Sequence, residues 1–275
     1  AVSNLNAYVA SEMFPHHHIQ PITNGAHHIT WVSPAMASLN DEQIAGWRED
    51  PLLLSHAGRL GDNGLTTARS SSRAILFDII HSMTGRRLDP SRLTIGFARR
   101  FATYKRAPLV FDHFENLVSL VRDLRRPVQF IFAGKAHPRD DEGKQLIQKI
   151  IHLSRHSKLS GHLVFLENYD VHVARQMVSG CDVWLNNPRR PLEASGTSGM
   201  KATCHGCLNL SILDGWWREG YDGTNGFAIG GDEHPDNVDE QDRLDSENLY
   251  KVLSDEVIPY FYDRAEIGIP RAWLG

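Results

Sequence analysis

The sequence predicts an α/β domain in which a parallel sheet is covered by helices, and three observations carry that expectation. From residue 91 onward, short β-branched runs alternate with segments of helical period, the pattern of repeated strand–helix units. The runs Leu93–Ala98, Val128–Ala133, Leu163–Glu167, Asp182–Asn186 and Leu208–Leu213 are apolar on both faces, as strands buried between two helical layers must be. The chain has 275 residues, 41% of them hydrophobic and 23% charged, which is enough to bury a substantial core.

Residues 1–90 show no such alternation and contain Pro15, Pro21, Pro34 and Pro51. They are expected to form loops and helices that lead into the sheet and contribute to its site, with the best helix over Ser72–Met83; residues 91–275 are expected to form the sheet domain proper. Between the first two strands, Val110, Phe111, Phe114, Leu117, Val118, Val121 and Leu124 repeat at helical spacing. A second stripe at Leu146, Ile147, Ile150 and Ile151 follows Asp140 and Asp141, either of which suits the helix cap. Asp232 to Asp242 is acidic and poor in apolar residues, which predicts an exposed loop before a last helix over Ser246–Tyr262. The chain begins at Ala1 and stops at Gly275, which suggests processing or excision from a longer protein.

Composition narrows the function. No apolar run approaches the roughly 18 residues of a membrane helix. A formal net charge of −4 gives no general attraction to nucleic acid. Three cysteines, Cys181, Cys204 and Cys207, make no disulfide framework, and no secretory leader pattern opens the chain, so the expected compartment is the cytoplasm. His16–His18, His27 and His28 have no acidic or Cys/His partners at metal-ligand spacing, so no metal is expected. Cys204 and Cys207 have the C-x-x-C spacing of a redox or half-zinc motif but no second pair, and are read as free thiols. Trp216 and Trp217, which could stack on a sugar, are read as closing a core.

The chemistry concentrates in Pro188-Arg-Arg-Pro-Leu-Glu-Ala-Ser-Gly-Thr-Ser-Gly-Met-Lys201, between the fourth and fifth strands. Such a stretch is a loop feeding a helix. Gly196 and Gly199 allow close backbone approach, and the free N–H groups of the first helical turn favour a phosphate. Ser195, Thr197 and Ser198 add hydroxyl donors. Lys201 lies in the first turns, where a Schiff base to an aldehyde cofactor becomes geometrically reasonable, and phosphate with lysine suggests pyridoxal phosphate. The bland reading is an ordinary helix start, and the spacing differs from the G-x-x-x-x-G-K-[ST] phosphate loop. Arg99, Arg100, Lys105 and Arg106, taken alone, read as a solvated basic face, and Glu193 as a surface carboxylate.

Glu193-Ala-Ser-Gly-Thr197 with Met200-Lys201 resembles the pyridoxal-phosphate attachment motif of the α-glucan phosphorylases. Further blocks occur in the order of that family: Ile22-Thr-Asn-Gly25, Arg99-Arg100 with Tyr104-Lys105-Arg106, Gly134-Lys135-Ala136, and Phe165-Leu-Glu-Asn-Tyr169. Asn187–Leu192 and Leu213-Asp-Gly-Trp-Trp217 look more like the bacterial and archaeal members. The resemblance implies the Rossmann-like C-terminal domain of a two-domain GT-B glycosyltransferase fold. It implies Lys201 as the cofactor lysine, with Thr197, Gly196, Ser198 and Arg99 at the cofactor phosphate and Trp31 and Tyr169 lining the cofactor. Arg100 and Lys105 match the pair that binds inorganic phosphate, and Asn24, Tyr104, Glu193, Ser195 and Gly196 match the glucosyl site. Ser198-Gly199 departs from the Gly-Asn common before Met-Lys, which leaves the backbone donors in place. The implied reaction is reversible phosphorolysis of α-1,4-glucan to glucose 1-phosphate with retention, completed by an N-terminal domain that this chain lacks. Two alternatives stand beside it: a sugar-nucleotide glycosyltransferase of the same fold, and a catalytically silent cofactor-binding module.

Overall fold

The computed structural model describes residues 1–231, 235, 237–265 and 269–273. Six parallel strands form its centre: β1 Leu93–Arg100, β2 Val128–Lys135, β3 Leu163–Leu166, β4 Val183–Asn186, β5 Leu208–Ile212 and β6 Gly226–Ile229. Their order across the sheet is β3-β2-β1-β4-β5-β6. The helices are α1 Asn4–Met13, α2 His28–Trp31, α3 Pro34–Gln43, α4 Asp62–Thr84, α5 Phe114–Arg122, α6 Asp141–Ser154, α7 Val171–Gly180, α8 Thr197–Thr203, α9 Trp217–Gly220, α10 Val238–Val252 and α11 Ile258–Tyr262. Among the described residues no helix is long and apolar enough to cross a membrane.

Why these segments take these forms is local. Ser33 caps α3 ahead of Pro34, whose missing N–H is no loss in a first turn. Asp140, not Asp141, caps α6, accepting from the Gly143 N–H at 2.8 Å. Asn237 caps α10 by accepting from both Asp239 and Glu240 N–H. Gly85 ends α4 with φ +69°, a left-handed conformation in which a residue without Cβ is unstrained.

Apolar residues on both faces of the strands divide the core in two. Leu93, Ile95, Phe97, Phe130, Phe132 and Leu185 meet Leu117, Ile150 and Leu249 from the α5, α6 and α10 side. Ala98, Ile131, Ala133, Val164 and Trp184 meet Leu76, Ile80, Met177 and Ala202 from α4, α7 and α8. A satellite cluster of Val32, Met36, Leu39, Ile44, Trp47 and Ala68 fastens α3 to α4. β1 and β4 are therefore neighbours whose following segments leave toward opposite faces, and the crevice outside their carboxyl ends is where open α/β sheets bind ligands.

Four expectations are corrected. β6 was not foreseen. The last helical stretch starts at Val238, inside the acidic segment assigned to a loop, and runs through a π turn at Leu253–Val257 to Tyr262; Asp232–His234 and Asp236 lie outside the described residues. The helix after β1 covers Phe114–Arg122, with Val110 and Phe111 in a preceding 3-10 turn. Leu124 falls beyond its end and is 99% exposed. The Ser72–Met83 helix is the second half of the longer α4.

Asp182, 1% exposed at the foot of β4, fastens α4 to the sheet. It accepts from Thr94 N–H at 2.9 Å, from Arg69 at 3.1 Å and from Arg73. Removing it leaves two largely covered guanidiniums without their carboxylate, so Asp182→Ala should lose about 3 kcal/mol in urea unfolding, and a loss under ~1 kcal/mol would count against this account. Asp182→Asn keeps an acceptor for Thr94 and should lose less.

Candidate active site

A cleft of about 520 Å³ opens at the carboxyl ends of β1 and β4. Its walls are the last residues of β1, Lys105 in the 3-10 turn Thr103–Lys105, the 193–198 loop and Lys201 of α8; Val2 and Asn24 close it from the N-terminal segment. Four cationic side chains, Arg99, Arg100, Lys105 and Lys201, face it beside one carboxylate, Glu193.

Glu193 Oε2 is shared, lying 2.5 Å from Arg99 Nη2 and 2.6 Å from Lys105 Nζ. Burial alone would raise the Glu193 pKa, but the two adjacent cations outweigh it and hold the carboxyl below its ordinary value. Lys105 also stands 4.6 Å above the Tyr104 ring. Arg99 and Lys105 are each 8% exposed, whereas Arg100, the last residue of β1, is exposed and has no ion-pair partner among the described residues. Two buried polar atoms on the site's residues lack partners: Arg99 Nη1 and Ser195 Oγ.

The 193–196 loop is held from below. Glu193 N–H donates to Asp214 Oδ2 at 2.9 Å, Trp216 N–H to the Ser195 carbonyl at 2.8 Å, and Ser3 Oγ to the Ala194 carbonyl at 2.8 Å. A Cβ on Gly215, whose φ is +54°, would stand 2.3 Å from the Ser195 carbonyl oxygen, so only glycine lets these two turns touch. Burial pushes the Asp214 carboxyl up to about 6, against the lowering effect of its two backbone donors. Gly196 enters α8 at φ +85°. Gly199 packs where a Cβ would lie 2.4 Å from Asn209 Oδ1, and Ser198 Oγ accepts from Trp184 Nε1 at 3.1 Å.

Lys201 Nζ lies 4.0 Å from the centre of the Trp31 ring, and burial lowers its pKa. His205 sets that relation. Ser33 N–H donates to His205 Nε2 at 3.0 Å, which leaves the ring proton on Nδ1 to be donated to the Lys201 carbonyl at 3.0 Å. Burial, with Arg69 nearby, pushes this imidazole down to about 4, so it remains neutral. Tyr169 packs half-buried with Trp31 against the α4–α7 core; burial raises its phenol to about 12, and the Arg99 charge works the other way.

The structure thus brings Asn24, Arg99, Arg100, Lys105, Glu193, Ser195, Gly196, Thr197, Ser198 and Lys201 to one cleft. Trp31 touches it through Lys201 and Tyr104 through Lys105, while neither they nor Tyr169 form its wall. Arg106, read from sequence within a basic face, is buried instead, at 4% exposure. The supporting roles of Asp214, His205, Ser3 and Gly215 are not readable from the sequence, because each rests on a contact remote in the chain. Cys181 and Cys207 are buried free thiols and Trp217 is core, at 2% exposure.

A family model described as carbohydrate phosphorylase matches residues 4–225. The chain is 42% identical to a maltodextrin phosphorylase of Thermococcus litoralis, over 96% of this chain and 35% of that protein. It is 40% identical to a glycogen phosphorylase of Aquifex aeolicus over 100% of this chain and 43% of the relative, and 40% identical to one of Mycobacterium tuberculosis over 93% and 32%. The chain therefore spans a third to two fifths of the length of these curated relatives. Since the family model spans most of its residues and the likeness extends from the N-terminal helices through the switch-point cleft, the chain belongs to the carbohydrate phosphorylase family.

Proposed function

We propose that this chain is the cofactor- and phosphate-binding part of an α-glucan phosphorylase, which moves the terminal glucosyl unit of an α-1,4-glucan reversibly onto inorganic phosphate to give glucose 1-phosphate. The observation that carries the reading is the gathering of four cations around one carboxylate at the switch point of the sheet, with a lysine of depressed pKa among them. Residues 91–275 supply the sheet and this cleft, residues 1–90 add Val2 and Asn24 to its rim, and the remaining polypeptide of the longer enzyme supplies the facing wall and completes the glucan site. The setting is cytoplasmic.

The residues fit pyridoxal 5'-phosphate. Arg99 Nη1 and Ser195 Oγ are buried donors without acceptors, and Gly196 brings backbone close to them. Thr197 and Ser198 open α8 beside that point, and Lys201 supplies an amine whose neutral, nucleophilic form burial favours. When bound, the cofactor supplies a phosphate group able to exchange a proton with the substrate phosphate, which protonates the departing glycosidic oxygen.

The chain's own groups do the rest. Arg100 offers a planar fork and Lys105 a point charge to the phosphate dianion, and their charge offsets the repulsion between two neighbouring phosphates. Glu193, kept ionised by Arg99 and Lys105, accepts from a glucosyl hydroxyl, and Asn24 and Ser195 hydrogen-bond others. Tyr104 braces Lys105 and Trp31 braces Lys201. No side-chain nucleophile is required.

Incubation with pyridoxal phosphate, borohydride reduction and peptide mass analysis should place the label on Lys201. Labelling of another lysine in preference would refute the cofactor assignment. Because burial lowers the Lys201 pKa, its labelling should persist to a pH below the ordinary lysine range.

The 275-residue chain alone should release little glucose 1-phosphate from maltodextrin, since half a cleft cannot hold the reacting groups in line. Robust turnover by the isolated chain would contradict the two-part site.

In the complete enzyme, Arg100→Ala or Lys105→Ala should lower kcat/KM by roughly 30- to 1000-fold, about 2–4 kcal/mol of transition-state stabilisation. Borohydride-reduced holoenzyme should keep much of its activity, because the working group is the phosphate and the aldehyde only a tether. Loss of turnover on reduction, with Arg100→Ala unaffected, would show that the cofactor's role has been misassigned.

A further inference from the structure

Arg106 adjoins Lys105 yet faces away from the cleft, into the interior. It is 4% exposed, and its φ of +49° is left-handed, a conformation that a long side chain keeps only when its surroundings hold it there. The surroundings do so in both directions. Nε donates to the Asn187 carbonyl at 2.9 Å and Nη2 to the Pro188 carbonyl at 2.8 Å. Nη1 meets Asp242 at 2.8 Å and Nη2 meets Asp245 at 2.7 Å, both on α10. In return Asn187 Nδ2 donates to the Arg106 carbonyl at 2.9 Å.

The two segments that this guanidinium joins are the two that carry the shared ion pair. One is the Thr103–Lys105 turn with Lys105, the other the loop from Asn187 to Glu193. They are joined again where Arg189 N–H donates to the Tyr104 carbonyl at 2.6 Å, and Arg189 pairs with the same Asp242 at 2.5 Å. One planar cation thus donates to two loop carbonyls and to Asp242 while lying within ion-pair distance of Asp245, a set of contacts that a single ammonium cannot reproduce.

We propose that Arg106, seated on Asp242 and Asp245, is a positioning residue that fixes Lys105 against Glu193 and so sets phosphate affinity in the reaction proposed above. It touches neither substrate nor cofactor. Its influence passes through Lys105, and α10 is thereby made part of the site's support although it lies outside the cleft.

The inference rests on the phosphorylase reading, so its test includes a readout that does not depend on turnover. In the full-length protein, lysine acylation followed by mass spectrometry reports how far Lys105 is shielded by its pairing, with exposed Lys149 and Lys251 as internal references. Arg106→Lys should raise Lys105 labelling about fivefold or more with the references and bound pyridoxal phosphate unchanged, measured below the variant's unfolding temperature. Asp245→Asn, which removes one seat and leaves Arg106 in place, should act in the same direction should Arg106→Lys fold poorly. Phosphate KM should rise roughly tenfold in both variants with a smaller change in kcat, and Arg106→Lys should add little to Lys105→Ala, as coupled residues do. Unchanged Lys105 labelling in both variants, or raised labelling with an unchanged phosphate KM in an active enzyme, overturns the proposal. Raised labelling in a protein whose wild type performs no phosphorolysis supports the positioning role and refutes the phosphorylase reading alone.

Discussion

Glu193 Oε2 is the anionic point to which Arg99 and Lys105 are both drawn, and the cationic end of β1 depends on it. Sharing one oxygen at 2.5 and 2.6 Å places the two charged nitrogens within about 5 Å of each other. At an effective dielectric near 20 that proximity amounts to roughly 3 kcal/mol of repulsion, so without the carboxylate these side chains would swing apart into solvent. The carboxylate is in turn held by what lies under it: the Asp214 bond to its own N–H, the Gly215 contact that no Cβ would permit, and the Ser3 hydroxyl on the next carbonyl. The site's electrostatics are therefore a property of loop packing as much as of charge.

The strand geometry explains how two adjacent arginines take different tasks. Successive residues on a strand point to opposite faces, so Arg99 turns inward to Glu193 while Arg100 stays exposed at the strand end. The chain then needs only the short 3-10 turn Thr103–Lys105 to return a third cation to the same carboxylate. Because the strand order reverses between β1 and β4, the loop bearing Glu193 comes up directly opposite.

Much of this was legible in the sequence because it is local. Five strands were readable from apolar runs, α6 from a cap and a stripe, and the site from blocks of motif residues. What escaped had non-local or weak signals. β6 is four residues opened by Gly226 and follows a polar turn, so its strand character comes from pairing with β5. The acidic start of α10 reads as loop because its charges are a solvated face, while its helical reason lies in the Asn237 cap and in Asp242 and Asp245 meeting Arg106. Leu124 fits the helical period but falls two residues past the end of α5, a reminder that periodicity does not mark where a helix stops. His205 sits inside the C-x-x-C motif Cys204–Cys207, and its link to Ser33 is invisible without the fold.

The balance of charge in the cleft bears on which anions it suits. Four cations against one carboxylate leave a surplus of three positive charges in a partly buried space. Two phosphate groups, each carrying about −1.5 to −2 near neutral pH, offset that surplus closely. A sugar nucleotide, whose two bridging phosphates carry one charge each, would leave a cation unmatched, and it has no use for an amine that burial has made easier to deprotonate. The surplus also gives Arg100 its significance: it is the one arginine of the cleft with no internal partner among the described residues, and so the one whose charge is wholly available to an incoming anion. A single phosphate dianion would leave part of this positive charge unmatched, whereas two would not.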